Sequence, residues 1–148
     1  MSKFNVFYIL LSREQSDELN GHPHGWASPI GQAYGNARHE PVYFCYRDAE
    51  KFGLIKLAAS LNIKVDRSRP SEVDSSLEQV WEALQNFDKS WTEKENIRCY
   101  TDFPRSCDVG DLIYDVEGDK LYRVCGMGFT EITSDNLVNI ARTVSKVL

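Results

Sequence analysis

Pro104-Arg105-Ser106-Cys107-Asp108-Val109-Gly110-Asp111-Leu112-Ile113, continued by Tyr122-Arg123-Val124-Cys125-Gly126-Met127-Gly128-Phe129, decides how the second half of this chain folds. Pro104 and Gly110-Asp111 are turn residues, since glycine accepts a positive φ and aspartate hydrogen-bonds into the turn it starts. Two apolar, β-rich runs follow, over 112–116 and 120–125. Glu117-Gly118-Asp119 between them predicts a hairpin. Gly126-Met127-Gly128-Phe129 lacks the third glycine, the immediate helix and the Lys-Ser/Thr pair of a phosphate-cradling loop, so it reads as a bend ending a strand.

Working outward, 97–101 predicts another strand. A helix beginning after Thr133 or Ser134 carries Leu137, Ile140, Ala141, Val144 and Leu148 on one stripe. Arg142 and Lys146 suit its negative C-terminal end. On the amino side, a helix over 73–87 shows Val73, Leu77, Val80, Trp81 and Leu84 on one face. Asp48 is a good N-cap for a helix over 49–61 with Leu54, Leu57, Ala58 and Leu61 as its stripe, and Ile63 and Val65 suggest a short strand. Residues 42–46 alternate as a strand. Residues 4–11 are apolar on both parities, the pattern of an interior strand, and Ser12 caps a short helix over 13–19. Residues 20–39 read as an adaptable loop in which 30–36 could hold one helical turn, with Gly21, Gly25, Gly31, Gly35, Pro23 and Pro29 interleaved with Trp26, Ile30 and Tyr34. The layer rules then give one α+β domain over 1–148, a mixed or largely antiparallel sheet of about five strands carrying three to four helices.

The 148 residues are 42% apolar and 26% charged with a net charge of −5, ordinary globular usage with no basic footprint for nucleic acid. The run 4–11 is too short to span a bilayer and is followed by no small-residue cleavage site, so neither membrane nor export is expected. Four cysteines without a Cys-x-x-Cys pair predict reduced thiols and a cytoplasmic location. Cys45, Cys99 and Cys125 fall among apolar strand residues, as small hydrophobes.

Metal-ligating types occur in His22-Pro23-His24 and His39, but without tetrahedral spacing; ordinary loop histidines are the simpler account. Cys107 has Arg105 nearby to lower a thiol pKa, yet Asp108 and Asp111 act against it. The carboxylates of 115–119 sit at a hairpin tip, where acids are solvated. Trp91, among polar neighbours, is hard to bury. Trp26 is the best anchor for a ligand or partner, with Tyr34, Arg105 and Asp111 as companions. No catalytic set and no cofactor motif emerges.

The box Arg105-Ser106-Cys107-Asp108-Val109-Gly110-Asp111, with Tyr122-Arg123-Val124 and Gly128-Phe129-Thr130-Glu131-Ile132, resembles an R-S-x-S-V-G-D-[VI] box of small phage and plasmid proteins similar to the YodL-like domain. Asp108 stands where a second serine is usual, so no role for that serine carries over. Leu19-Asn20, Gly25-Trp26 and Gly31 with Tyr34 resemble small proteins of marine cyanobacterial phages. The resemblance implies a phage-like or metagenomic origin and an intracellular life in an infected host, and it brings no activity. The expected function is therefore non-enzymatic binding of a host or phage protein. The alternative is a small enzyme or metal-binding protein whose site lies where loop 20–39 meets turn 104–111, built from His24, His39, Arg105, Cys107 and Asp111. A homo-oligomeric unit is a third reading.

Overall fold

Strand β1 (Ser2–Ile9) is apolar on both parities because both of its faces are covered. Phe4, Val6 and Tyr8 enter one core and Phe7 and Ile9 the other. The computed structural model describes residues 1–38 and 46–148. Among these, β1 lies in the middle of a six-stranded antiparallel sheet of order β3-β2-β1-β4-β5-β6. The other strands are β2 (Ile55–Ile63), β3 (Ile97–Cys99), β4 (Leu112–Asp115), β5 (Lys120–Val124) and β6 (Phe129–Ile132). The helices are α1 (Arg13–Gly21), α2 (Pro29–Arg38), α3 (Arg47–Lys51), α4 (Pro70–Ala83) and α5 (Asp135–Lys146). This is the α+β architecture that the layer rules require, with six strands where about five were expected.

One face of the sheet packs against Leu77 and Val80 of α4, then Leu84 and Trp91. The other lies under Ala33 and Ala37 of α2, Ala49 of α3 and Leu137 and Ala141 of α5. Each fully buried large side chain contributes roughly 1.5–3 kcal/mol, so the two cores carry the stability. No helix of the described residues is long and apolar enough to cross a membrane.

Three expectations need correction. The helix predicted over 49–61 is instead the five-residue α3 followed by β2. Gly53, at φ 69°, takes the left-handed conformation that ends a helix. The misleading stripe has a cause. Val6 pairs with Ala59 and Phe7 with Leu57, so Ala58 is an extra residue. That bulge switches parity, sending Ile55 and Leu57 to one core and Ala59, Leu61 and Ile63 to the other. Two strand alternations offset by one residue imitate a helical spacing.

The expected loop over 20–39 contains the ten-residue α2, preceded by a single helical turn (Gly25–Ala27). Two of its glycines serve close approach. A Cβ on Gly31 would lie 2.5 Å from the Trp26 carbonyl oxygen, and one on Gly25 would meet the Leu19 backbone. Trp91, expected to resist burial, is fully buried. Its indole N–H donates to the Arg105 carbonyl at 2.8 Å, and its ring stands edge-on to Tyr8 at 6.4 Å. Residues 42–45 of the expected strand, Cys45 among them, lie outside the described residues, and Tyr46 leads directly into α3.

Candidate functional site

Asp111 occupies the entry to β4, where the turn 104–110 folds back over the end of β1. Its carboxylate is fully buried and accepts four hydrogen bonds. Arg105 donates two, at 2.6 and 2.8 Å, the Ile9 backbone N–H one at 3.1 Å and the Asp108 backbone N–H one at 2.8 Å. Arg105 also donates to the carbonyls of Ile9 and Ser106, and its guanidinium lies 4.2 Å from the Tyr8 ring centroid. Burial raises the Asp111 carboxyl above its ordinary value, against the pull of Arg105. Burial also opposes the Arg105 charge, but the hydrogen bonds and charge of Asp111 prevail and its pKa rises. The oxygens of Asp111 are thus committed to holding three chain segments together. This makes the pair a clamp rather than a reaching group.

Cys107 lies beside this clamp and is buried. Burial pushes its thiol well above the ordinary value, and the Asp111 charge adds to that effect. Cys99, expected inside a strand core, is exposed at the sheet edge, and Cys125 is half-buried. Brief treatment of the native protein with a thiol alkylating reagent, read by peptide mass spectrometry, is therefore expected to label Cys99 well before Cys107. Cys107 should react at least about a hundredfold more slowly, because it must wait for the fold to open. Equal rates at the two positions would show that the turn is not closed.

The far end of β4 carries a second clamp. Asp115, only 1% exposed, receives both terminal nitrogens of Arg67 at 2.6 Å, and the same guanidinium reaches Glu117 at 3.0 Å. Asp115 is thus bound within the fold, contrary to the expectation of solvated hairpin acids; Glu117 stays exposed. The hairpin itself is as predicted, with Asp119 at φ 51° held by Tyr114 and Arg142. Gly128, at φ 79°, likewise makes the expected bend between β5 and β6.

Trp26 and Tyr34 do lie together, with ring centroids 6.1 Å apart. The Arg38 guanidinium stands 5.5 Å from the Tyr34 ring centroid and bonds Asp108 at 2.8 Å. A row Trp26–Tyr34–Arg38–Asp108 therefore joins the α2 segment to the turn that contains Arg105 and Asp111. Trp26 remains 48% exposed, its indole N–H resting on Asn20 Oδ1 at 3.3 Å.

Gly25 and Ser28, on either side of Trp26, line a groove of about 580 Å³ between α1 and α2. From α1 it takes Gln15, Glu18 and Leu19, which are i, i+3 and i+4 on one helical face, and His22 follows just past the helix end. Pro23, Pro29, Ile30 and Phe52 complete a mainly apolar surface. Gln15 anchors it, since its side chain closes a capping box with Ser12 and also donates to the Phe52 carbonyl at 3.2 Å. Sequence reasoning missed this groove. Only one of its three α1 positions is apolar, so no stripe was visible.

His22 and His24 are exposed on the groove wall, and no contact joins His24 to Arg105 or Asp111. His39 lies outside the described residues. Among the described residues, no group of three or more His, Cys, Asp or Glu is placed to hold a metal ion. The fold and this surface define an antiparallel-sheet α+β protein with a preformed groove beside an exposed tryptophan. No family model matches the chain, and comparisons with curated proteins and with solved structures return no match.

Proposed function

We propose that this protein acts by binding a partner protein through the face made by α1, the Gly25–Ala27 turn and α2. The observation that carries this reading is Trp26, half-exposed on a short helical turn and flanked by residues that line an apolar groove. A tryptophan held in this way offers a large contact area at little entropic cost, the usual property of an interface anchor. The buried clamp at Arg105 and Asp111 supports the face from beneath through Asp108 and Arg38. The likeness of the 105–111 box to phage and plasmid proteins supports a host or phage protein as that partner, met in the cytoplasm of an infected cell.

The test is selection of ligands from a displayed random-peptide library against the immobilised protein, followed by amide-shift mapping. Selected peptides are expected to perturb residues of α1, 25–28 and α2. Trp26→Ala should weaken them about thirtyfold, the scale of a tryptophan hot spot, while leaving folding stability within ~1 kcal/mol. No enrichment at all, or ligands that map elsewhere and ignore Trp26→Ala, would reject the reading.

A further inference from the structure

The groove between α1 and α2 has a chemical bias that its apolar floor conceals. α1 presents Glu14, Asp17 and Glu18, all exposed, against the single cation Arg13. None of the three carboxylates forms an ion pair among the described residues. Glu18 lines the groove itself, and Glu14 lies one helical turn before it on the same face. Across the groove, the only charged side chain of α2 is Arg38, in its last turn and committed to Asp108. At the remaining end, the Lys51 ammonium lies 5.5 Å from the Phe52 ring centroid. One wall is therefore acidic and unneutralised, the floor is apolar and the opposite wall is neutral. The net charge of −5 gives the whole molecule the same sign.

We infer that this groove takes a basic amphipathic segment of the partner, with an apolar side chain over Leu19, Ile30 and Phe52 and lysine or arginine residues beside Glu14 and Glu18. The inference rests on the binding function proposed above and names the chemistry of its partner. The groove is largely preformed. Gln15 ties α1 to Phe52, and the Gly25 N–H donates to the His22 carbonyl at 3.1 Å, fixing the turn against the helix end. Apolar contact then supplies most of the affinity, while the carboxylates select among apolar segments and accelerate encounter. An acidic segment of equal hydrophobicity meets like charge along α1 and is rejected.

Three synthetic helical peptides of one length decide this. The first has leucines at i, i+3, i+4 and i+7 flanked by lysine and arginine; the second has the same leucines flanked by glutamate; the third has the basic flanks with the leucines replaced by serine. The first is expected to bind saturably, with amide shifts centred on Gln15, Leu19, Ile30 and Phe52. Glu14→Gln with Glu18→Gln should weaken it about fivefold at low salt and flatten its salt dependence, as removal of rim charges does. Ile30→Ser should weaken it further without changing that salt dependence. Equal binding of the glutamate-flanked peptide overturns the charge selection while the binding function stands. Equal binding of the serine peptide overturns the groove as the site, leaving only diffuse attraction. If none of the three binds but library peptides still depend on Trp26, the inference fails and the proposed function survives. If the library also yields nothing, both fail.

Discussion

Arg105→Met is expected to lower the stability of the protein by about 3–5 kcal/mol, a large part of the 5–15 kcal/mol typical of a domain. The reason is the position of Asp111 rather than any loss of surface charge. Its carboxylate has no solvent exposure, so removing the guanidinium leaves a buried charge held by only two backbone N–H donors. Replacing both partners with apolar residues is not expected to restore stability, because the N–H groups of Ile9 and Asp108 would then lose their acceptor. Those two donors distinguish this pair from buried ion pairs that tolerate apolar exchange.

The loss should depend on pH in a stated direction. Burial already raises the Asp111 carboxyl, and the Arg105 hydrogen bonds oppose that rise, so the variant's folded-state pKa lies higher still. The folded variant then binds a proton that the unfolded chain, with an ordinary carboxyl near pH 4, releases. The stability deficit should be full at any pH above the raised value. It should narrow as pH falls through that value towards about 4, where protonation removes the buried charge. Urea unfolding of both proteins across this range reads the difference directly. A deficit under about 1 kcal/mol that stays constant with pH would mean that the carboxylate is solvated and the clamp is not one.

Much of this architecture is legible in the sequence wherever a local rule has a local cause. Ser12 and Gln15 form a capping box three residues apart, Gly118-Asp119 turns a hairpin, and Leu137 with Ala141 places α5 on the sheet. What escaped depends on pairing at a distance. The extra residue Ala58 has meaning only against Val6 and Phe7 of β1, more than fifty positions away, and without that register β2 imitates a helix. Trp91 looks exposed among polar neighbours until the Arg105 carbonyl and Tyr8 arrive to enclose it. Arg105 and Asp111 were expected as companions of Trp26 in binding, and their pairing with each other was not foreseen. Their burial follows from the end of β1, whose N–H and carbonyl groups complete the cage, and nothing within 104–111 announces it. The exposure of Trp26 was legible because a bulky aromatic among glycines is conspicuous. The groove beside it was not, since helix α2 had to form first.

Gly110→Ala is expected to destabilise by about 3 kcal/mol or more, from two effects that can be separated. The residue sits at φ 93°, a conformation that costs a non-glycine residue about 1–3 kcal/mol. Unlike the other glycines of positive φ, it has no room. An added Cβ would lie 2.7 Å from the Ala37 carbonyl oxygen and 2.8 Å from Arg38 Cα, whereas one on Gly128, at φ 79°, meets nothing within 4 Å. Gly128→Ala therefore measures strain alone, at about 1 kcal/mol, and the excess in Gly110→Ala measures the collision with α2. The backbone cannot easily yield. The Gly110 N–H donates to the Val124 carbonyl at 3.0 Å, and its own carbonyl accepts from the Tyr46 hydroxyl at 2.7 Å. Relief must come from displacing the end of α2, which carries Arg38 and, one turn earlier, Tyr34. Gly110→Ala should consequently weaken Trp26-dependent ligands as well as the fold, although residue 110 lies outside the groove. Denaturant titrations of the two alanine variants, with peptide binding measured below the unfolding transition, test both parts. Equal losses at positions 110 and 128 would show that the turn and α2 are not in contact, and the support assigned to the binding face would go with them.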